Sequence, residues 1–279
     1  MRDGGTARGI YPHAVRHARG PLRMAFTRGW CGAVARLDRD VAPIAAPLTT
    51  AFVVGCGNSG TTLVAARLGN HPRAFVIPQE TGLFRPTRGL WRARRRLLGW
   101  MDEARAEGAQ VLIEKTPKHV HAAERIRSLL PEARLIVVVR NPFDTCLSLK
   151  KRFRDLDFAI ARWVLDNTAA LALVEDPRAT FLRYERLTAA PEPEFRRLLG
   201  CLGLDWDAGV LAEGATVFDA PQRFRHLERR AAQVRAPIHA NTGQWREALT
   251  PAEIAQIRAR TGTLWSAMGG DPETGGWRD

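Results

Sequence analysis

Residues 51–63 run Ala-Phe-Val-Val-Gly-Cys-Gly-Asn-Ser-Gly-Thr-Thr-Leu, an apolar, β-branched stretch that feeds a glycine-rich turn and then a helix start. Such a turn aims backbone N–H groups and the positive end of a helix at an anion. A second candidate anion site lies at residues 137–148, Val-Val-Val-Arg-Asn-Pro-Phe-Asp-Thr-Cys-Leu-Ser. There Arg140 ends an apolar run, and Ser148 falls on the second turn of the helix that Asn141 and Pro142 are suited to open. A guanidinium fork and a hydroxyl beside a helix start make a charge-assisted acceptor of phosphate-like groups. Two such sites in one chain point to a ligand with two separated anionic groups.

The first segment has the spacing Gly-x-x-x-x-Gly-Lys-[Ser/Thr] of a phosphate-binding loop, with Thr61 at the lysine position. Without that lysine, the loop is poorly suited to the β- and γ-phosphates of ATP and better suited to a transferred group of lower charge. Gly55, Gly57 and Gly60 also satisfy Gly-x-Gly-x-x-Gly, with Glu80 near the offset of a ribose-binding acid, so a dinucleotide reading stays open. It leaves Arg140 and Ser148 without a role.

These residues need a scaffold that gathers them. Strand-like runs at 51–55, 74–77, 111–113, 135–139 and 179–182 alternate with helical segments at about 60–69, 89–107, 119–130, 142–153 and 157–175. The last third reads as mainly helical, with a capping box at Thr250-Pro251-Ala252-Glu253. That alternation predicts an α/β fold with a central parallel sheet and helices on both faces. Ligands of such sheets bind beyond the carboxyl ends of the strands, where Gly55–Gly60, Glu80, Lys115, Arg140 and Tyr184 all fall.

Together these motifs resemble the sulfotransferases that use 3′-phosphoadenosine 5′-phosphosulfate (PAPS), over residues 50–260 or so. Gly57, Asn58, Ser59, Gly60, Thr61 and Thr62 lie in a segment like that family's 5′-phosphosulfate loop, and Arg140 with Ser148 is similar to its 3′-phosphate motif. The segment around Tyr184 resembles the one whose tyrosine lies near the adenine, and Gly243-Gln244-Trp245 resembles a late loop that closes over the cofactor. Glu114-Lys115-Thr116-Pro117 and Gln79-Glu80-Thr81 resemble segments of the glycan and protein-tyrosine branches that supply a lysine to the transferring group and a catalytic glutamate. The resemblance implies a P-loop-like three-layer fold, PAPS as donor, Glu80 as base and Lys115 as the cation at the leaving phosphate. The sulfuryl group carries one negative charge, so no divalent metal is required. Where the family has lysine or arginine, this chain has Asn58, so Lys115 or another cation must supply more of the charge. Glu114 is an alternative base, but alternation along a strand lets only one of Glu114 and Lys115 face the site. His119 and His121 are expected on the following helix.

The 279 residues suffice for one sizeable core, and the formal net charge of +13 favours anionic ligands. Residues 1–49 read as a basic arm, carrying seven arginines up to Arg36, that packs partly on a domain spanning 50–279 and is suited to peripheral membrane contact. Arg85, Arg88, Arg92, Arg94, Arg95 and Arg96 would rim an acceptor cleft for an anionic glycan or lipid, or form a solvated helix face. Arg223, Arg225, Arg229, Arg230 and Arg235 would lie on a flap, and Trp91 and Trp100 are expected to pack rather than bind sugar. Four scattered cysteines and the lack of a long apolar run suggest a reduced, cytoplasmic setting. No nucleic-acid partner is expected. The competing readings are a P-loop phosphotransferase, a dinucleotide oxidoreductase and a polyanion-binding module, and the last gives the ordered strand-end residues nothing to do.

Overall fold

The computed structural model describes residues 31–34, 36–213, 238 and 242–278. At its centre, β1 (Thr49–Gly55) is flanked by β3 (Val111–Lys115) and β4 (Arg134–Val139), with β2 (Ala74–Val76) and β5 (Ala179–Arg183) at the edges. The order is β2-β3-β1-β4-β5, and every pairing is parallel. Alternation along the strands builds two cores. Phe52, Val54, Leu112, Leu135, Val137 and Val139 face one side, and Ala51, Val53, Val111, Ile113, Ile136 and Val138 face the other. Each fully buried Val, Leu or Ile contributes about 1.5–3 kcal/mol, which is why central strands are apolar on both faces.

From β1 the chain runs through α1 (Thr61–Leu68) to β2, then through α2 (Leu90–Ala106) back to β3. A short 3₁₀ segment, Pro117–Ala122, and α3 (Ala123–Leu129) lead to β4 on the other side of β1. The strand order therefore reverses beside β1, and a crevice opens at the carboxyl ends there. After β4 come α4 (Pro142–Phe153) and α5 (Leu156–Leu171). Beyond β5 follow α6 (Tyr184–Ala189), α7 (Pro191–Leu202), α8 (Trp245–Ala248) and α9 (Pro251–Ala267). Helices α1 and α7 cover one face of the sheet; α2, α3, α4, α5 and α9 cover the other. This is the three-layer α/β, P-loop-like fold read from the sequence.

Local chemistry explains the element ends. Asn141 caps α4 by accepting from the Asp144 N–H, with Pro142 in the first turn, and the capping box of Thr250 and Glu253 opens α9. Leu90, Ala93, Leu97, Met101 and Ala104 form the buried stripe of α2, while Arg92, Arg95 and Arg96 are exposed. One expected helix differs: residues 119–130 divide into a 3₁₀ turn and a short helix, because His119 is drawn into a buried polar cluster. Trp100 packs partly on the core as expected, but Trp91 is 46% exposed, with the Arg92 guanidinium over its ring.

Within the arm, Val34 and Ile44 are buried, the Ile44 N–H donates to Leu129 O at 2.7 Å, and Asp38 accepts from Arg125 Nη2 at 2.6 Å. The first 30 residues and the arginine flap from Arg223 to Arg235 lie outside the described residues. No helix among the described residues is long and apolar enough to cross a membrane. The four cysteines are unpaired.

Candidate active site

The turn after β1 is held open by its own backbone. Gly55 has φ +140°, and a Cβ there would stand 2.3 Å from Val138 O, so only glycine lets β1 and β4 approach at this point. Asn58 has φ +70°, which asparagine tolerates better than most residues. Gly60, with φ +102°, caps α1; a Cβ there would lie 2.4 Å from the Tyr184 ring. No side chain caps α1 and no acid sits in its first turn. Its first N–H groups therefore point out of the turn as an anion cradle.

Ser59 is fully buried; its Oγ donates to Cys56 O at 2.6 Å and its N–H donates to the same carbonyl at 3.2 Å. Val138 O, at 3.1 Å from Oγ, ties the turn to β4 as well. The Ser59 hydroxyl thus clamps the loop to itself and to β4.

The two anion motifs meet. Asn58 Nδ2 donates to Ser148 Oγ at 3.1 Å, and Arg140 Nη1 donates to Asn58 O at 3.3 Å. The Arg140 guanidinium lies 4.4 Å over the Tyr184 ring, and that ring is itself packed on Gly60. Tyr184 thereby links the loop to the arginine, and burial raises its phenol pKa against the opposing field of Arg140. Glu185, next to it, accepts from the Asn141 N–H and from Asn141 Nδ2, fixing the turn that carries Arg140. Asp144 does the same for the late loop, accepting from the Gly243 N–H at 2.8 Å and the Trp245 N–H at 3.3 Å. The Trp245 ring is buried and stacked on Phe143, so it anchors the loop, while Gln244 is exposed.

Beyond β2 and β3, Lys115 Nζ donates to Glu80 Oε1 at 2.8 Å; the lysine side chain is 3% exposed and the glutamate 44%. Glu114 turns the other way. Its Oε1 accepts from Thr81 Oγ1 and Thr116 Oγ1 at 2.8 and 2.6 Å, and from the Thr81 N–H. His119 Nε2 accepts from the Phe84 N–H, so Nδ1 carries the proton donated to Glu114 Oε2 at 2.9 Å. Burial pushes the Glu114 carboxyl up, but His119 and the hydroxyl donors outweigh it and hold the group below its ordinary value. Glu114 and His119, considered as alternative bases, are therefore interior supports for the loop that presents Glu80.

Sequence reasoning missed a further cluster. Arg162 and Asp166, one turn apart on α5, form a buried ion pair, and His121 Nε2 lies 2.7 Å from the other Asp166 oxygen. Burial raises the Asp166 carboxyl, but the His121 bond and Arg162 outweigh it, leaving it low. Lys118 sits nearby; burial, then the field of Arg162, lowers its pKa to about 8. The available signal was a charged pair at i, i+4 inside the apolar stretch Phe158–Leu171, since such charges are buried only when paired.

A sequence profile described as the sulfotransferase family matches residues 94–208. The nodulation protein NoeE of Sinorhizobium fredii (strain NBRC 101917 / NGR234) is 27% identical, covering 79% of this chain and 65% of that protein. Human heparan sulfate glucosamine 3-O-sulfotransferase 6 is 29% identical over 64% of this chain and 58% of that one. The chain thus spans less than two thirds of the length of these relatives. Among solved structures, the sulfotransferase domain of the Synechococcus PCC 7002 olefin synthase superposes with a TM-score of 0.65, covering 84% of this chain and 98% of that domain at 19% identity. A mouse sulfotransferase complexed with PAP gives a TM-score of 0.54 at 14% identity, covering 84% and 92%. At such identities the superpositions speak for the fold.

Proposed function

We propose that this chain, a member of the sulfotransferase family, moves a sulfuryl group from PAPS to a hydroxyl or amine of a carbohydrate, lipid or other small acceptor. The observation that carries the reading is the junction of the two anion motifs through Asn58, Ser148 and Arg140, beside an uncapped helix start. A nucleotide with phosphates at both its 3′ and 5′ positions needs that pair of sites. The names of the glucosamine 3-O-sulfotransferase and the PAP-bound neighbour agree with the donor and with a sugar acceptor.

In this reading the N–H groups and hydroxyls of Thr61 and Thr62 bind the 5′ end, and Arg140 and Ser148 bind the 3′-phosphate. When bound, PAPS supplies the sulfuryl group: an acceptor oxygen bonds to sulfur as the sulfur–oxygen bond to the phosphate breaks, and its electron pair stays on the phosphate. Lys115 stabilises that charge, an electrostatic contribution that commonly dominates group transfer. Glu80 takes the acceptor proton, worth roughly 10²–10⁴-fold. The Glu80 carboxylate accepts from Lys115, so the two must part for each to reach its own end of the reaction.

Calorimetry with adenosine 3′,5′-bisphosphate, adenosine 5′-phosphate, ATP and NAD tests the reading. The bisphosphate should bind tightest, with a gap over the monophosphate of about 1.5–3 kcal/mol per charge-assisted bond. Equal affinity for the bisphosphate and monophosphate, or a preference for ATP or NAD, would overturn it.

A further inference from the structure

Residues Gly55–Thr62 contain no lysine or arginine, and Asn58, the longest polar side chain of that segment, donates to Ser148. The charge that builds on the 5′ side during transfer needs a cation close to the loop, and Lys115 is engaged with Glu80. A second cation reaches the loop from behind. A Cβ added at Gly57 would stand 3.3 Å from Arg162 Nη2. Gly57 lacks the positive φ that would demand glycine, so what a side chain there would meet is this guanidinium, which would have to give by a few tenths of an ångström.

We propose that Arg162 is the cation of the 5′-phosphosulfate cradle, supplying through α5 the charge that the loop sequence lacks, with Asp166 and His121 as its positioning residues. The inference rests on the sulfotransferase reading above. Three features separate it from a purely structural ion pair. Asp166 engages Arg162 through Nε, while Nη2 points to the loop. His121 holds the second oxygen of Asp166, so the carboxylate is fixed in place and shared. Trp163, the next residue, donates from Nε1 to Arg140 O at 3.2 Å, locking this part of α5 to the strand end that carries the 3′-phosphate arginine. One helix thus braces both ends of the nucleotide site.

The test compares binding of adenosine 3′,5′-bisphosphate, adenosine 5′-phosphate and adenosine 3′-phosphate to the wild type, Arg162→Gln, Arg162→Lys and Arg140→Gln. Arg162→Gln should weaken the two nucleotides that carry a 5′-phosphate by roughly tenfold or more and leave adenosine 3′-phosphate unchanged, the range of a lost charge-assisted bond. Arg140→Gln should do the reverse, and Arg162→Lys should recover part of the loss. If Arg162→Gln does not fold, the Arg162→Lys and Gly57→Ala chains carry the comparison. Gly57→Ala displaces the guanidinium and should likewise weaken only the 5′-phosphate ligands. Unchanged affinities, or parallel loss for all three nucleotides, would overturn the role of Arg162. Failure of the wild type to prefer the bisphosphate would overturn the sulfotransferase reading itself, and this inference with it.

Discussion

Glu80 and Glu114 are both carboxylates near β2 and β3, yet their surroundings give them different work. Glu80 is nearly half exposed and accepts from Lys115, whereas Glu114 is buried under four donors. Glu80→Gln should lower turnover by roughly 10²-fold or more, with little effect on nucleotide affinity or melting temperature. Glu114→Gln should lower turnover and melting temperature together, because it releases the loop that carries Glu80. Lys115→Ala should lower turnover and weaken nucleotide binding, and its loss should not add to that of Glu80, since both act on one transition state. Single-turnover rates and thermal melts of the three variants and one double variant check this. A Glu80→Gln chain with near-normal turnover would remove Glu80 as the base. Lys118 gives a second test at this scale. With its pKa near 8, it loses its charge as the pH rises through that value, so nucleotide affinity should fall above about pH 8. That fall should be absent in Lys118→Met; titrating affinity from pH 7 to 9.5 for both chains decides it.

At the scale of elements, the strands and the motifs at their ends were legible because both are local. A β-branched run and the glycine turn after it lie within a dozen residues, and so do Arg140, Asn141, Pro142 and Ser148. What the sequence hid is pairing at long range. Asn58 with Ser148, Asp144 with Gly243, and Arg162 with Gly57 join residues about 90 or more apart, and each depends on how helices settle across the strand ends. The tie of Ser59 to β4 was hidden for the same reason: the carbonyl of Val138 belongs to another strand. Tyr184 shows the cost of disturbing such contacts. Gly60→Ala would place a methyl group against the Tyr184 ring in a left-handed conformation, so destabilisation of roughly 1–3 kcal/mol is expected. It should also weaken adenosine 5′-phosphate binding, because α1 would shift from the cradle. Denaturant melts with parallel calorimetry test both; an unperturbed Gly60→Ala chain would mean that the loop and α6 are not coupled.

Across the whole molecule, the site rests on buried charge, and this sets how the fold responds to acid. Glu114 and Asp166 are reached by His119 and His121 from the same 3₁₀ turn, one bracing the loop with Glu80 and the other Arg162. For each, burial alone would raise the pKa, but the hydrogen bonds, and for Asp166 also Arg162, win, so the folded values lie below the ordinary 4.5 and 3.8. A carboxylate whose folded pKa is depressed adds stability in full above its unfolded value and loses it as the pH falls toward the folded one. The melting temperature should therefore be flat with respect to these groups from pH 7 to about pH 5 and fall steadily below about pH 4.5. In Glu114→Gln and Asp166→Asn that slope should shrink while the melting temperature at pH 7 drops, because the stabilisation being titrated is already gone. The double variant should be the flattest in acid, and because His119 and His121 share one 3₁₀ turn its loss of stability should differ from the sum of the two single losses. Melting curves at half-unit steps from pH 3 to 7 measure this. An acid slope equal to that of the wild type in both single variants would show that other carboxylates govern the acid limb, and that the two networks brace the crevice without setting the stability of the fold.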